Sequence, residues 1–103
     1  MQNNKDVTEK EKLGEMYRIG REMIPSEDYE KDHISQQELA DRNKDVTKFL
    51  IGKIERGDAN PTLEKLIIHA KAINKKTFAI GDVEINVDKF INEIKIDKEN
   101  KKE

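Results

Sequence analysis

Apolar residues recur at helical spacing along most of the chain and then, near residue 77, switch to strict alternation. Leu13, Met16, Tyr17, Gly20, Met23 and Ile24 repeat at three and four, which predicts an amphipathic helix over 8–24 that covers a core built downstream. Pro25 closes it, because the residue before a proline disfavours the α region. The linker PSEDYEKDH follows. Its Glu27, Asp28, Glu30 and Asp32 lack the alternating ligands and the glycine of a calcium loop, so they read as a solvated loop.

The next stretch, ISQQELADRNKDVTKFLIGKIERG, predicts two short helices joined by a tight turn. Ser35 and Glu38 have capping-box spacing, and Ile34 and Leu39 flank them at staple spacing. Ala40 leaves room for a second helix to approach. Asp41 to Lys44 break the pattern and form the turn, with no glycine to take a left-handed conformation, so Asn43 or Lys44 must supply any that is needed. Asp45 is the expected cap of the second helix, whose Val46, Leu50, Ile51 and Ile54 form a stripe, and Gly57 ends it. A further helix is expected with Asn60 as cap, Pro61 at its first position, and Leu63, Leu66, Ile67, Ala70 and Ile73 as its apolar face.

Alternation begins at TFAIGDVEINV, where Phe78 and Ile80, then Val83, Ile85 and Val87, recur at two residues. This predicts a β-hairpin turning at Gly81 and Asp82. A lone two-stranded hairpin is marginal in water, so its apolar face either closes the core of its own chain or packs on another subunit. Asp88 is the expected cap of a last helix through Phe90, Ile91 and Ile94, before a charged tail over 97–103 expected to be disordered.

With SQQELA, KIERG and NPTLEKL in this order and spacing, residues 34–74 resemble the helix-turn-helix domain of XRE-type (Cro/CI-like) transcriptional regulators. The likeness covers about two fifths of the chain. It implies a mainly α fold: a compact four- to five-helix Cro/CI-like DNA-binding domain over 1–76 with its motif at 35–57. A C-terminal β-hairpin and short final helix over 77–96 would serve as a dimerisation element. The turn holds one residue more than the usual family pattern, and Phe49 and Leu50 stand where the family often places small or polar side chains.

That resemblance implies a sequence-specific regulator, a repressor by family prior, that binds a double-stranded operator as a homodimer with the recognition helix in the major groove and half-sites about one helical turn apart. Gln36, at the start of the first motif helix, would meet a phosphate. Lys48 and Lys53 would donate to guanine O6 and N7, and Thr47 to a phosphate or base edge. Phe49 would touch a thymine methyl, or be a core residue or a partner contact. Arg56 and Asn60 would hold the DNA backbone, while Val46, Ile51 and Ile54 are core. Glu55, beside Arg56, is expected in an internal salt bridge. KAINKKTFAI further resembles the HigA-like antitoxins, in which the XRE domain continues into a strand used in assembly. That likeness adds an alternative, a cognate small RNase toxin as protein partner.

Composition narrows this picture. In 103 residues, 41% charged and 34% apolar, there is room for one small helical core and not for a second full domain. Cysteine is absent, which excludes disulfides and thiolate metal sites. No apolar run approaches the ~20 residues of a membrane span, and MQNNKDVTEKEK has no signal-like apolar region, so a cytoplasmic protein without membrane partners is expected. The net charge of −2 gives no global pull toward nucleic acid. Lys and Arg number 6 against 9 Asp and Glu in residues 1–34, 5 against 4 in 35–57, and 9 against 9 in 58–103. Only the helix-turn-helix is positive, as a basic patch of Arg42, Lys44, Lys48, Lys53 and Arg56 or as a solvated helix face. The acidic N-terminal third would suit a basic toxin, or solubility alone. His33 and His69 have no serine, cysteine or carboxylate arrangement around them, and there is no glycine-rich phosphate loop. No catalytic, cofactor or metal site is therefore expected, and the protein is read as not an enzyme. A protein-interaction module without DNA affinity is the remaining alternative.

Overall fold

Side chains that satisfy orphan backbone amides set where each helix of this chain begins. The structure, a computed structural model, describes residues 7–28 and 30–101, with side chains to Lys95. The fold is mainly α, with five helices and one antiparallel hairpin, and the chain divides into two compact units, Met1–Asn60 and Pro61–Glu103. None of the described helices is long and apolar enough to cross a membrane.

The first unit holds α1 (Glu9–Glu22), α2 (Gln36–Arg42) and α3 (Lys48–Arg56). Thr8 and Glu11 form a complete capping box at α1, with Glu11 N–H donating to Thr8 Oγ1 at 3.1 Å and Thr8 N–H to Glu11 Oε1 at 2.8 Å. The buried face of α1 is Gly14, Tyr17, Gly20 and Arg21. This corrects the expected stripe, since the helix ends at Glu22 and Met23 is 75% exposed. A Cβ on Gly14 would lie 2.3 Å from Ile54 O, so glycine is what lets α1 pack directly on the backbone of α3. Burial raises the pKa of the Tyr17 phenol on the same face.

At α2, Ser35 accepts from Glu38 N–H at 3.0 Å, and Ile34 and Leu39 are buried as the staple requires. The expected reciprocal half of the box is not made. The Glu38 carboxylate turns to the preceding loop, accepting from Ser26 Oγ at 2.8 Å, Glu27 N–H at 3.1 Å and Arg42 at 2.7 Å. The Ser26 hydroxyl, the Glu27 amide and Arg42 together hold its pKa below the usual carboxylate range.

The turn also differs from expectation. Asn43 is extended (φ −135°, ψ 101°) and Lys44 has no positive φ. Asn43 donates its side-chain amide to Leu39 O at 2.9 Å and accepts Val46 N–H at 3.1 Å, so polar bonding replaces left-handed backbone. Burial of Val46 moves the start of α3 later, and Thr47 rather than Asp45 is its cap, accepting from Leu50 N–H at 3.1 Å. Gly57 (φ 76°) ends α3, with Gly57 N–H on Ile54 O and Asp58 N–H on Lys53 O, the paired bonds of a Schellman motif.

The second unit holds α4 (Leu63–Ala72), β1 (Thr77–Ile80), β2 (Val83–Asn86) and α5 (Val87–Lys101). Thus α4 groups with the hairpin and α5, whereas the sequence reading ended the first domain at 76. Thr62, not Asn60, caps α4, accepting from Lys65 N–H at 3.2 Å, which leaves Pro61 one residue before the cap. Ile67, His69, Ala70 and Ala72 are buried on α4, and Leu63 is exposed. Asn74 (φ 66°) ends the helix with a second Schellman pair, Asn74 N–H on Lys71 O and Lys75 N–H on Ala70 O.

The hairpin turns at Gly81 and Asp82 as expected, pairing Thr77 with Asn86, Phe78 with Ile85, Ala79 with Glu84 and Ile80 with Val83. Gly81 (φ 58°) is the only positive φ of the turn, which matches type II′. Asn86 caps α5 by accepting from Lys89 N–H at 2.9 Å. The expected cap, Asp88, instead pairs with Lys71 on α4, which lowers the pKa of its carboxyl. The α5 backbone stays helical to Lys101, correcting the tail expected from 97. No glycine or proline interrupts residues 87–103, which are rich in Lys and Glu, and residues 102–103 lie outside those described.

His69 Nδ1 bonds Lys65 O at 2.8 Å, and burial holds the imidazole pKa below its usual 6.5. A histidine whose folded-state pKa is depressed takes up its proton more readily when unfolded, so stability is lost as pH falls below 6.5. Thermal melts of the second unit's signals from pH 7.5 to 5.5 are expected to show falling stability, with a flatter profile in His69→Gln. Glu38 and Asp88 add their own losses only at more acidic pH, because their depressed pKa values carry stability that disappears as they protonate.

Candidate functional site

A buried ion pair joins all three helices of the first unit. Arg21 on α1 grips Glu55 on α3 with one edge of its guanidinium, Nε to Oε2 at 2.7 Å and Nη2 to Oε1 at 3.0 Å. Their side chains are 9% and 5% exposed. The third nitrogen, Nη1, donates to Ile34 O at 2.8 Å, and Gln36 of α2 donates Nε2 to Glu55 Oε1 at 3.0 Å. Bonding to Glu55 raises the pKa of Arg21 against the opposing effect of burial. The expected internal salt bridge of Glu55 is therefore present, with Arg21 as partner rather than the adjacent Arg56.

Gln36, held this way, also lines an open groove. Gln36, Lys48, Phe49, Gly52 and Arg56 line a space of about 450 Å³ on the outer side of α3. Gly52 keeps it open, since a Cβ there would sit 3.0 Å from Arg56 Nη1 and 3.2 Å from Gln36 Oε1. Glycine inside a helix costs about 1 kcal/mol relative to alanine, and that penalty is the signal by which Gly52 is detectable in sequence. Arg56 is oriented by Asp58, Nε to Oδ2 at 3.0 Å.

Of the seven residues expected to contact DNA, Gln36, Lys48, Phe49 and Arg56 line this groove. Lys53 joins them through Phe49, its Nζ lying 5.2 Å from the ring centroid. Thr47 is exposed one residue before the helix and uses its hydroxyl oxygen as cap, leaving the hydroxyl proton available. Asn60 is exposed and is not among the groove residues. Phe49 is 72% exposed, which removes the core alternative for it, while Val46, Ile51 and Ile54 are buried as expected. The sequence reading missed Arg21, Gly14 and Gly52.

In the loop before α2, His33 Nδ1 lies 3.1 Å from Ile34 O. Among the described residues, no group of three or more His, Cys, Asp and Glu is arranged to hold a metal ion. Comparison with family models, characterised proteins and solved structures finds no match to this chain.

Removing Arg21 leaves the Glu55 charge buried and unpaired. Arg21→Met is expected to destabilise the first unit by about 3–5 kcal/mol in urea unfolding. The double variant Arg21→Met with Glu55→Met is expected to lose distinctly less, since no buried charge is then orphaned.

Proposed function

We propose that this chain is a sequence-specific regulator that binds double-stranded DNA through the outer face of α3, acting in the cytoplasm and performing no catalysis. The observation that carries the reading is the groove. A short helix with a buried inner side offers, on its outer side, three cations, Lys48, Lys53 and Arg56, around an exposed aromatic ring and an amide. The resemblance of SQQELA, KIERG and NPTLEKL to XRE-type regulators supports the same assignment.

The geometry refines the roles. Lys48, exposed, and Lys53, half-buried beside Phe49, are long donors suited to guanine O6 and N7, and Arg56 to the phosphate backbone. Thr47 can donate its free hydroxyl proton to a phosphate. Gln36 is anchored beside Lys48 and Phe49 by one amide N–H on Glu55, and its second amide N–H can donate to a phosphate. Phe49 projects its ring where a thymine methyl would pack. With three cations and a net charge of −2, affinity rests on local contacts and not on long-range attraction.

Fluorescence anisotropy with the DNA upstream of this chain's own gene, against a scrambled duplex in a salt series, tests the reading. Preference for the native duplex is expected, with a log–log salt slope of about −0.9 per phosphate contacted. Lys48→Ala and Lys53→Ala are each expected to weaken binding by about 1–3 kcal/mol if they read bases, with the fold unchanged by circular dichroism. Unaltered binding in both variants would remove this face from the site. Phe49→Ala is expected to abolish any affinity difference between thymine- and uracil-containing duplexes, and a retained difference would assign the methyl contact elsewhere.

A further inference from the structure

We infer that a second copy of this chain pairs with the outer edge of β1, joining two hairpins into a four-stranded antiparallel sheet. Ile80 and Val83 flank a two-residue turn and so form its closing hydrogen-bonded pair, and alternation along an antiparallel ladder makes Phe78 and Ile85 the next. Val87 N–H donating to Lys76 O at 3.0 Å continues that alternation. Thr77 and Ala79 therefore aim their amide and carbonyl groups away from β2. Among the described residues, no further strand pairs with that edge.

The same hairpin is covered only at its base. Phe78 is buried, but on the same face Ile80 is 43% and Val83 61% exposed. Two four-residue strands are marginal alone, and an open edge beside exposed apolar side chains is a template for another strand.

The β1 edge carries its own complement, which identifies the occupant as a second copy. It runs from Lys75 and Lys76 before the strand to Asp82 beyond it, and an antiparallel copy reverses that order. Setting Ala79 opposite Ala79 of the second copy uses the outward backbone groups of both strands. It places Lys76 opposite Asp82 of the second copy, and Phe78 opposite its Ile80, each twice by symmetry. A slip of one residue would turn the apolar residues to the wrong face. The edge of β2 offers no such match. Self-pairing there sets Glu84 against Glu84, and the next allowed register runs into α5.

This pairing stands independently of DNA binding. Sedimentation velocity on the full chain, from about 10 μM to about 1 mM because so small an interface belongs to the weak class, is the test. Wild type is expected to dimerise. Lys76→Asp and Asp82→Lys, both at exposed positions, are each expected to weaken dimerisation about tenfold, because each converts two attractive cross-strand pairs into repulsive ones. An equimolar mixture of the two variants restores both pairs and is expected to dimerise like wild type. Ala79→Pro removes an outward N–H without touching the β1–β2 ladder and is expected to give a monomer. Wild type monomeric throughout, variants that dimerise undiminished, or a mixture that stays monomeric would each overturn the proposal.

Discussion

The buried Arg21–Glu55 pair is the constraint on which the first unit depends. Two charges taken out of water are favourable only when geometry is close to ideal and the remaining donors are met, and here every nitrogen of the guanidinium has an acceptor. The pair ties α1 to α3, and through Ile34 O and Gln36 it fixes the start of α2 against both. An apolar core of Ile34, Leu39, Val46, Ile51 and Ile54 supplies burial but little direction. The ion pair supplies direction, because three guanidinium bonds, two to Glu55 and one to Ile34 O, require one relative orientation of the groups they join.

That arrangement has a consequence at the surface. With Glu55 turned inward to Arg21, no carboxylate from α3 faces the groove, and the outward cations keep their charge for a ligand, apart from the partial pairing of Arg56 with Asp58. The aromatic ring of Phe49 stays exposed on this face, with Lys53 Nζ 5.2 Å from its centroid.

Much of the architecture was legible from periodicity. The helix order, the switch to alternation, the hairpin turn at Gly81 and the left-handed stop at Gly57 all follow from spacing and from positions that need positive φ. Caps were less legible, because each start offers two polar candidates within two residues. Thr47 prevails over Asp45, Thr62 over Asn60 and Asn86 over Asp88, each choice being made by tertiary anchoring such as the burial of Val46 and Val87. Among the described residues, Asn74, not Asn43, is the non-glycine residue that adopts left-handed backbone. Arg21 was invisible to an apolar pattern, since its partner lies 34 residues away and only the fold brings them together. Of the seven expected contact residues, Lys48, Phe49, Lys53 and Arg56 gather on α3, where helical spacing alone suffices, and Gln36 is brought beside them from α2 by the fold. Gly52, which keeps the groove open, is recognisable only as an unfavourable residue inside a helix.

The most direct test of the α3 face as the working surface is an amide-resolved NMR titration of the full chain with its own upstream duplex. Shifts concentrated at Lys48 to Arg56 and at the Gln36 side chain, and absent with scrambled DNA at moderate salt, are the predicted result. No shifts, or shifts confined to other elements, would contradict it.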